Sequence, residues 1–181
     1  MNRILLKDGA NTRSGVVWHT QGSGKTLTMI MLTKMILRES MQPNSMIKQP
    51  RFVMVTDRIN LDKQIRDNFI HTQMSPHRAK TGKGLIELLK EESNTVITAL
   101  VNKFEAAVKQ EYCNDSENIF VFIDEGHRTQ YGKLNIYMNR VLPNAVKIAF
   151  TGTPLMQKKP KENKRDIIPA RDTYEKFGPE I

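Results

Sequence analysis

The run from Gly15 to Met29 places the narrowest limits on how this chain can fold. A short apolar segment, Val16 to Trp18, leads into a glycine-containing loop, and a long apolar stretch from Leu27 to Leu37 follows. This order predicts a strand, a tight loop and a helix. The loop reads Gly22-Ser23-Gly24-Lys25-Thr26. Glycines at this spacing let backbone N–H groups converge on an anion, and the helix N-terminus points at the same place.

The residues of this loop predict a binding site for the phosphates of a nucleotide, with all five of its residues in contact with the ligand. Lys25 would bring a mobile positive charge to the β- and γ-phosphates, and the Thr26 hydroxyl suits a magnesium ion. The full phosphate-loop pattern, G-x-x-x-x-G-K-[ST], departs from this chain only at His19. That position is the most dispensable one, because the phosphates lie against the half from Gly22 to Thr26.

Strand and helix patterns alternate along the whole chain, which predicts an α/β fold with a mainly parallel sheet and helices on both faces. Wholly apolar runs of this length suit strands that are buried on both sides. The predicted strands after the loop are 52–56, 95–99, 118–123 and 146–150, and the predicted helices are 58–69, 84–92, 101–110 and 134–142. We expect Asp57 to cap the helix that it precedes. The stretch from His71 to Lys83 is polar and predicts an irregular segment.

A second candidate site follows the strand that ends at Ile123, where the chain continues as Asp124-Glu125-Gly126-His127. Ligands of parallel sheets bind at the carboxyl ends of the strands, so both carboxylates should lie there. Asp124 would hold Mg²⁺, while Glu125 would polarise a water molecule against the γ-phosphate. We expect Lys25 and Asp124 to face one another across one pocket, on neighbouring strands. Beside two acids, His127 would link this pocket to another part of the protein through hydrogen bonds. A zinc site is disfavoured, because the four histidines match no zinc-binding spacing.

The charge balance of the chain indicates a polyanionic partner. Its 181 residues carry a formal net charge of +9, and nucleic acid is the first candidate for such a basic protein. One cysteine, Cys113, excludes an internal disulfide and fits the cytoplasm. The longest apolar stretch is interrupted by Lys34, which predicts no membrane span. From Gln157 onward the chain is a charged run without apolar periodicity, which predicts a tether.

Taken together, the motifs resemble those of the first RecA-like lobe of superfamily 2 helicases and translocases. Gly22 to Thr26 resembles motif I, Asp124 to His127 a DEAH-type motif II with Gly126 in place of alanine, and Thr151-Gly152-Thr153-Pro154 motif III. The resemblance implies a three-layer RecA-like P-loop NTPase domain with ATP and Mg²⁺ as cofactors. We place this lobe at residues 15–156, after an incomplete lead-in (1–14) and before the tether (157–181).

A closer similarity is to the motor subunit of type I restriction enzymes. It rests on the sequences from Val17 to Thr26, from Val55 to Gln64, from His127 to Gly132 and from Ala149 to Leu155. In that family Trp-His stands just before the glycine loop. The resemblance implies an ATP-driven translocase of duplex DNA that works with modification and specificity subunits.

The family pattern also implies roles for single residues. Glu125, Lys25 and His127 would form the catalytic group, with Thr26 and Asp124 on the metal. Thr151 and Thr153 would couple the nucleotide state to DNA. The DNA backbone would be contacted by two further segments, represented by Thr56 and Arg58 and by Thr98 and Lys103. Such backbone contacts would suit a motor that ignores base sequence.

The same pattern leads us to expect parts that this chain does not contain. A nuclease motif is not recognisable, and the second RecA-like lobe, which supplies arginine fingers, is missing. Because removal of an arginine finger typically costs about 10³–10⁵ in rate, the chain alone should hydrolyse ATP hardly at all. The alternatives are a lobe of another DEAH-like helicase, which strand displacement would reveal, and a non-catalytic nucleotide-binding module. A small-molecule kinase is disfavoured by Thr151 to Pro154.

Overall fold

The structure is a computed structural model that describes residues 14–18, 20, 22, 24–93, 95–124 and 131–152, without the side chains of 131–133. The predicted tether (157–181) and residues 1–13 of the predicted lead-in lie outside these ranges. Six strands and five helices alternate through the described part. The strands are β1 (Gly15–Trp18), β2 (Arg51–Thr56), β3 (His77–Ala79), β4 (Val96–Leu100), β5 (Ile119–Asp124) and β6 (Val146–Thr151). The helices are α1 (Lys25–Ser40), α2 (Ile59–His71), α3 (Gly82–Lys90), α4 (Val101–Val108) and α5 (Tyr131–Val141).

All six strands form one sheet in the order β1-β6-β5-β2-β4-β3, and every neighbouring pair is parallel. Parallel pairing brings the carboxyl ends of all the strands to one edge. The last residues of β1, β5 and β6 therefore lie at that edge, while the first residues of the strands lie at the opposite edge. This confirms the predicted parallel α/β fold.

Each central strand sends alternate side chains to opposite faces, and both faces are covered. On one face, Phe52 and Met54 of β2 join residues of α1 and α2 in a core that includes Ile36 and Phe69. On the other face, the core contains side chains of α3, α4 and α5. Burial on both faces explains why β2, β5 and β6 are almost wholly apolar.

Aromatic rings connect three strands on the α1–α2 face. Phe52 and Phe120, which are register partners on β2 and β5, stack with ring centroids 5.5 Å apart. Phe122 makes edge-to-face contacts with Phe52 at 5.8 Å and with Phe150 at 5.5 Å. Each such aromatic pair stabilises the fold by about 0.5–1.5 kcal/mol beyond the contribution of its buried area. The rings therefore hold β2, β5 and β6 together beneath the helices that reach the glycine loop.

Three local predictions were wrong. The stretch predicted to be irregular contains β3, which pairs with β4 through His77 to Ala79 and forms one edge of the sheet. Helix α2 has Arg58, rather than Asp57, as its N-cap residue. Helix α3 begins at Gly82 instead of Gly84, because the Thr81 hydroxyl accepts a hydrogen bond from the Gly84 N–H at 2.9 Å.

Among the described residues, none of the helices is both long and apolar enough to cross a bilayer.

An ion pair explains how a strand as short as β3 is held. Asp62 on α2 is 1% exposed, and its Oδ2 lies 2.8 Å from Nε of Arg78 on β3. Arg66, one helical turn after Asp62, places its Nε 3.9 Å from the same oxygen. A buried carboxylate needs such partners, so the charge fastens α2 to the sheet edge.

Lys147 on β6 is a buried cation at the opposite edge of the sheet from the strand carboxyl ends. The residue is 6% exposed, and its Nζ donates a hydrogen bond to the carbonyl oxygen of Ala145 at 3.2 Å. Burial lowers the pKa of Lys147 from an ordinary value of 10.5 to about 8. The folded chain therefore carries a cost for a charged Lys147 at neutral pH.

We expect Lys147→Met to change how stability depends on pH. Between pH 8 and 10.5 the unfolded chain binds more protons than the folded one, so the free energy of unfolding of the natural chain rises through that window. The rise due to this group is roughly 3 kcal/mol, and the variant should lose it while being more stable at pH 7. Urea denaturation from pH 7 to 10 measures the difference. Replacing the exposed Lys34 by Met is the matched control, and equal pH slopes in natural chain and variant would refute the expectation.

Candidate nucleotide-binding site

The glycine loop between β1 and α1 adopts a backbone that favours glycine. Gly22 has φ of 81° and Gly24 has φ of 90°, both in the left-handed region. Gly24 is the N-cap residue of α1, and its carbonyl oxygen accepts the first helical hydrogen bond from the Thr28 N–H at 3.0 Å. The first turn of α1 contains no acidic residue. The positive end of the helix is therefore left to an external anion.

Lys25 and Asp124 face one another, as predicted. The Lys25 Nζ lies 3.8 Å from the Asp124 Oδ1, and these side chains are only 12% and 10% exposed. Both line a cavity of about 620 Å³ whose wall includes Gly22, Gly24 and Thr26. The structure thus brings the described loop residues and the predicted metal-binding acid into one cavity.

Strand β1, which leads into the loop before Lys25, and strand β5, which ends at Asp124, are not neighbours, and this part of the prediction was wrong. Strand β6 lies between β1 and β5. Its register pairs Thr151 with Trp18 on one side and Phe150 with Asp124 on the other. The carboxyl end of β6, at Thr151, therefore lies between the strand that leads into the glycine loop and the strand that ends at Asp124.

The oxygen donors of the cavity fit a magnesium ion that is shared with phosphates. Thr26 contributes a hydroxyl and Asp124 a carboxylate to the same wall. No group of three or more His, Cys, Asp or Glu side chains among the described residues could enclose a metal ion by itself. Mg²⁺ commonly binds one or two protein oxygens and completes its shell with phosphates and water. The donor set therefore matches Mg²⁺ on a nucleotide.

Several predicted site residues fall outside the described part of the chain. They are Ser23 in the loop, Glu125 and His127 after β5, and Thr153 after β6. Thr151, the last residue of β6, is fully buried at the strand end beside β1 and β5. The coupling of the nucleotide state to DNA by Thr151 stays a prediction.

The four residues predicted to contact DNA differ in accessibility. Arg58 is exposed at the carboxyl end of β2, and Lys103 is partly exposed on α4. Thr56 and Thr98 are each 1% exposed, and the Thr56 hydroxyl bonds to the carbonyl oxygen of Arg58 at 3.3 Å. Both threonines are buried in this structure, and their contact with a duplex stays a prediction. They support the sheet edge on which the basic residues lie.

One wall of the cavity was not anticipated. Helix α2 contributes side chains three or four residues apart along one face: Leu61, Gln64, Asn68 and His71, followed by Thr72. The spacing of Gln64, Asn68 and His71 was visible in the sequence as a polar helical face, next to the apolar Leu61. What the sequence lacked was any sign that this face turns to the glycine loop rather than to open solvent.

The comparisons with known proteins place the chain in a family. The model of the SWI2/SNF2 ATPase family matches residues 1–181. The chain belongs to the SWI2/SNF2 ATPase family. Use of ATP is a property of this ATPase family, in line with the geometry of the cavity.

The relatives of this chain include endonuclease subunits of type I restriction enzymes. The chain is 36% identical over 186 residues to the HindI endonuclease subunit of Haemophilus influenzae, covering 92% of this chain and 16% of that protein. It is 36% identical over 146 residues to a protein named as the MjaIXP endonuclease subunit of Methanocaldococcus jannaschii, covering 79% of this chain and 14% of the relative. The resemblance to the motor subunit is confirmed, although the chain spans about one sixth of these relatives.

Solved structures confirm the RecA-like fold of this SWI2/SNF2 ATPase. The helicase domain of Pyrococcus furiosus Hef matches with a TM-score of 0.62 at 16% identity, covering 92% of this chain and 34% of that chain. A nuclease-deletion mutant of the Type ISP restriction-modification enzyme LlaGI matches with a TM-score of 0.57 at 15% identity, covering 82% of this chain and 16% of that chain. These likenesses concern the fold alone.

The conformation of Gly24 predicts a specific sensitivity. A Cβ at this position would meet only the Leu27 Cβ at 3.9 Å, so the cost of Gly24→Ala comes from the backbone. We expect a loss of about 1–2 kcal/mol in the free energy of unfolding, with weaker MgATP binding as the loop relaxes. Denaturation and nucleotide titration measure both effects. Gly24→Asn, which tolerates left-handed φ better, should lose less, and equal losses in the two variants would contradict this account.

Proposed function

We propose that this chain is the ATP-binding half of an ATP-dependent duplex-DNA translocase, the motor part of the restriction subunit of a type I restriction-modification enzyme. The observation that carries the proposal is the meeting of Lys25 and Asp124 at 3.8 Å in the cavity formed by the glycine loop. The kinship with type I endonuclease subunits supports the assignment to restriction systems.

Each predicted catalytic, phosphate-binding or metal-binding residue has a chemical task in this proposal. The N–H groups of the glycine loop and the N-terminus of α1 bind phosphate oxygens, and Lys25 adds a positive charge at the β- and γ-phosphates. Thr26 and Asp124 hold Mg²⁺, which when bound supplies positive charge to the phosphate oxygens. Glu125 orients and deprotonates the attacking water, and His127 connects the site to the rest of the motor. The second RecA-like lobe would complete the charge stabilisation.

Binding of nucleotide would rearrange the charges that the cavity now pairs. Lys25 and Asp124 neutralise one another across 3.8 Å with little access to solvent. A phosphate group gives Lys25 a new anionic partner, and Mg²⁺ gives Asp124 a new cationic one. The pocket therefore exchanges one ion pair for two, which favours the metal–nucleotide complex over free ATP.

This exchange predicts distinct effects of two substitutions on the 181-residue chain. Lys25→Ala should weaken MgATP binding by roughly 10- to 100-fold, because a charge-assisted hydrogen bond to phosphate is lost. Asp124→Asn should remove most of the advantage of MgATP over ATP measured with EDTA. Isothermal titration calorimetry with and without Mg²⁺ gives both quantities. Lys34→Ala, on the exposed side of α1, is the control for charge, and unchanged affinities in both site variants would refute the nucleotide site.

The proposed second partner is the backbone of duplex DNA, at the edge where the strands end. Asp57 and Glu105 line a cavity of about 260 Å³ at this edge, and their carboxylates would repel DNA phosphates. The phosphates would instead be held by basic side chains around the cavity. Among the described residues at this edge, Arg58, whose Nε lies 3.7 Å from Asp57 Oδ2, is exposed, and Lys103 is partly exposed. LlaGI in its solved structure is in complex with a DNA substrate mimic, and this supports the proposal.

DNA binding should therefore depend on salt and hardly on sequence. We expect the slope of log affinity against log salt to fall in magnitude by about 1 for each of Arg58→Ala and Lys103→Ala. Fluorescence anisotropy with two duplexes of unrelated sequence measures the slopes. Lys48→Ala, just before β2 at the opposite edge of the sheet, should leave the slope unchanged. An equal change in all three variants would show that the total charge, rather than this surface, governs binding.

A further inference from the structure

A hydrogen bond joins Trp18, at the end of β1, to Gly152, the residue that follows β6. The indole Nε1 of Trp18 donates to the carbonyl oxygen of Gly152 at 3.1 Å. Trp18 is the last residue of β1, and its register partner on β6 is Thr151, the residue before Gly152. The side chain thus reaches one residue past the end of the paired strands.

The bond between Trp18 and Gly152 requires a defined position of the two residues, which apolar packing of the indole ring alone would not. An indole N–H is a donor with no acceptor capacity, so it can join only to a carbonyl or another acceptor. Trp18 is 50% exposed, and water could satisfy its N–H if the Gly152 carbonyl moved away. The bond therefore forms only while the two backbones keep their present relation. A net hydrogen bond of this kind biases two arrangements by a factor of roughly 2 to 10, so it can be made and broken.

The location of the bond relates it to the cavity. Four residues after Trp18 the chain reaches Gly22, whose left-handed backbone begins the described wall of the cavity. Strand β6 lies between the strand of the glycine loop and the strand of Asp124. A shift of the loop upon phosphate binding would pull on β1 at Trp18, and Trp18 would pass that shift to Gly152 without the participation of Lys25 or Asp124.

We propose that Trp18 is a positioning residue that transmits the occupancy of the glycine loop to the carboxyl end of β6 and to Gly152 through its bond to the Gly152 carbonyl. This inference rests on the proposed function, because it requires a nucleotide in the loop. It assigns to Trp18 a task separate from nucleotide binding. When nucleotide is present, the Trp18 side chain restricts the motion of residues 149–152.

Hydrogen exchange followed by mass spectrometry can observe both ends of this connection in the full chain. In the natural chain, MgATP should slow exchange in the loop and first turn of α1, and should slow exchange at residues 149–152 by roughly 2- to 10-fold. The first variant replaces Trp18 by 3-benzothienylalanine, which keeps the shape of the ring and lacks the N–H donor. The second is Trp18→Phe, which also removes ring area. Lys25→Ala shows how much of the protection requires nucleotide in the loop.

The outcomes separate the two proposals. Loop protection that persists in the benzothienylalanine variant, with protection of residues 149–152 lost, supports the inference. Protection at both places in that variant, as in the natural chain, overturns it, because the N–H donor is then not needed. Loss of loop protection in the variant also overturns it, since Trp18 then contributes to binding itself. Absence of loop protection in the natural chain refutes the proposed nucleotide site, and this inference with it.

A fluorescence measurement gives an independent check, because Trp18 is the one tryptophan of the chain. Its emission should shift upon addition of MgATP in the natural chain, and in Lys25→Ala only at concentrations roughly 10- to 100-fold higher. A constant emission in the natural chain, measured where calorimetry shows saturation with MgATP, would overturn the inference and leave the nucleotide site standing.

Discussion

The glycine loop has to carry the chain from the end of β1 across the end of β6 before Lys25 can meet Asp124. Neighbouring strands lie about 4.8 Å apart, so the loop and the Lys25 side chain span roughly 10 Å of sheet edge. The left-handed backbone at Gly22 and Gly24 turns the chain into α1 at this point. Without that turn, α1 would not direct its N-terminus at the cavity, and the 3.8 Å contact between Lys25 and Asp124 would not form.

The parallel sheet separates two kinds of charged residue. At the carboxyl edge, Lys25 and Asp124 face a cavity and can exchange partners. At the opposite edge, Arg51 donates hydrogen bonds to the carbonyl oxygens of Leu89 at 2.9 Å and Leu88 at 2.8 Å, at the end of α3. Burial lowers the pKa of Arg51 and of Lys147. Arg51 and Lys147 thus serve internal contacts at that edge, whereas Lys25 and Asp124 line a cavity at the carboxyl edge.

Strands that are buried on both faces could be predicted because their composition has few other interpretations. The runs of β2, β5 and β6 are apolar and short, and each was found within one residue of its predicted bounds. Strand β3 could not be found in this way, since His77 and Arg78 are polar and the strand owes its place to an ion pair with Asp62. The burial of Thr98 was equally hidden, because a threonine next to apolar residues fits either an exposed or an enclosed strand face.

The sequence by itself determined the chemical groups of the candidate site and the order in which strands and helices follow one another. These groups are local features that adjacent residues of the sequence reveal. They are the glycine spacing, the lysine and threonine beside it, and the acid at the end of an apolar strand. Only the tertiary structure decided that β6 separates β1 from β5, that a face of α2 lines the cavity, and that Trp18 bonds to Gly152. Each of these contacts joins segments distant in the chain, and the strand order that brings them together depends on the packing of the whole sheet.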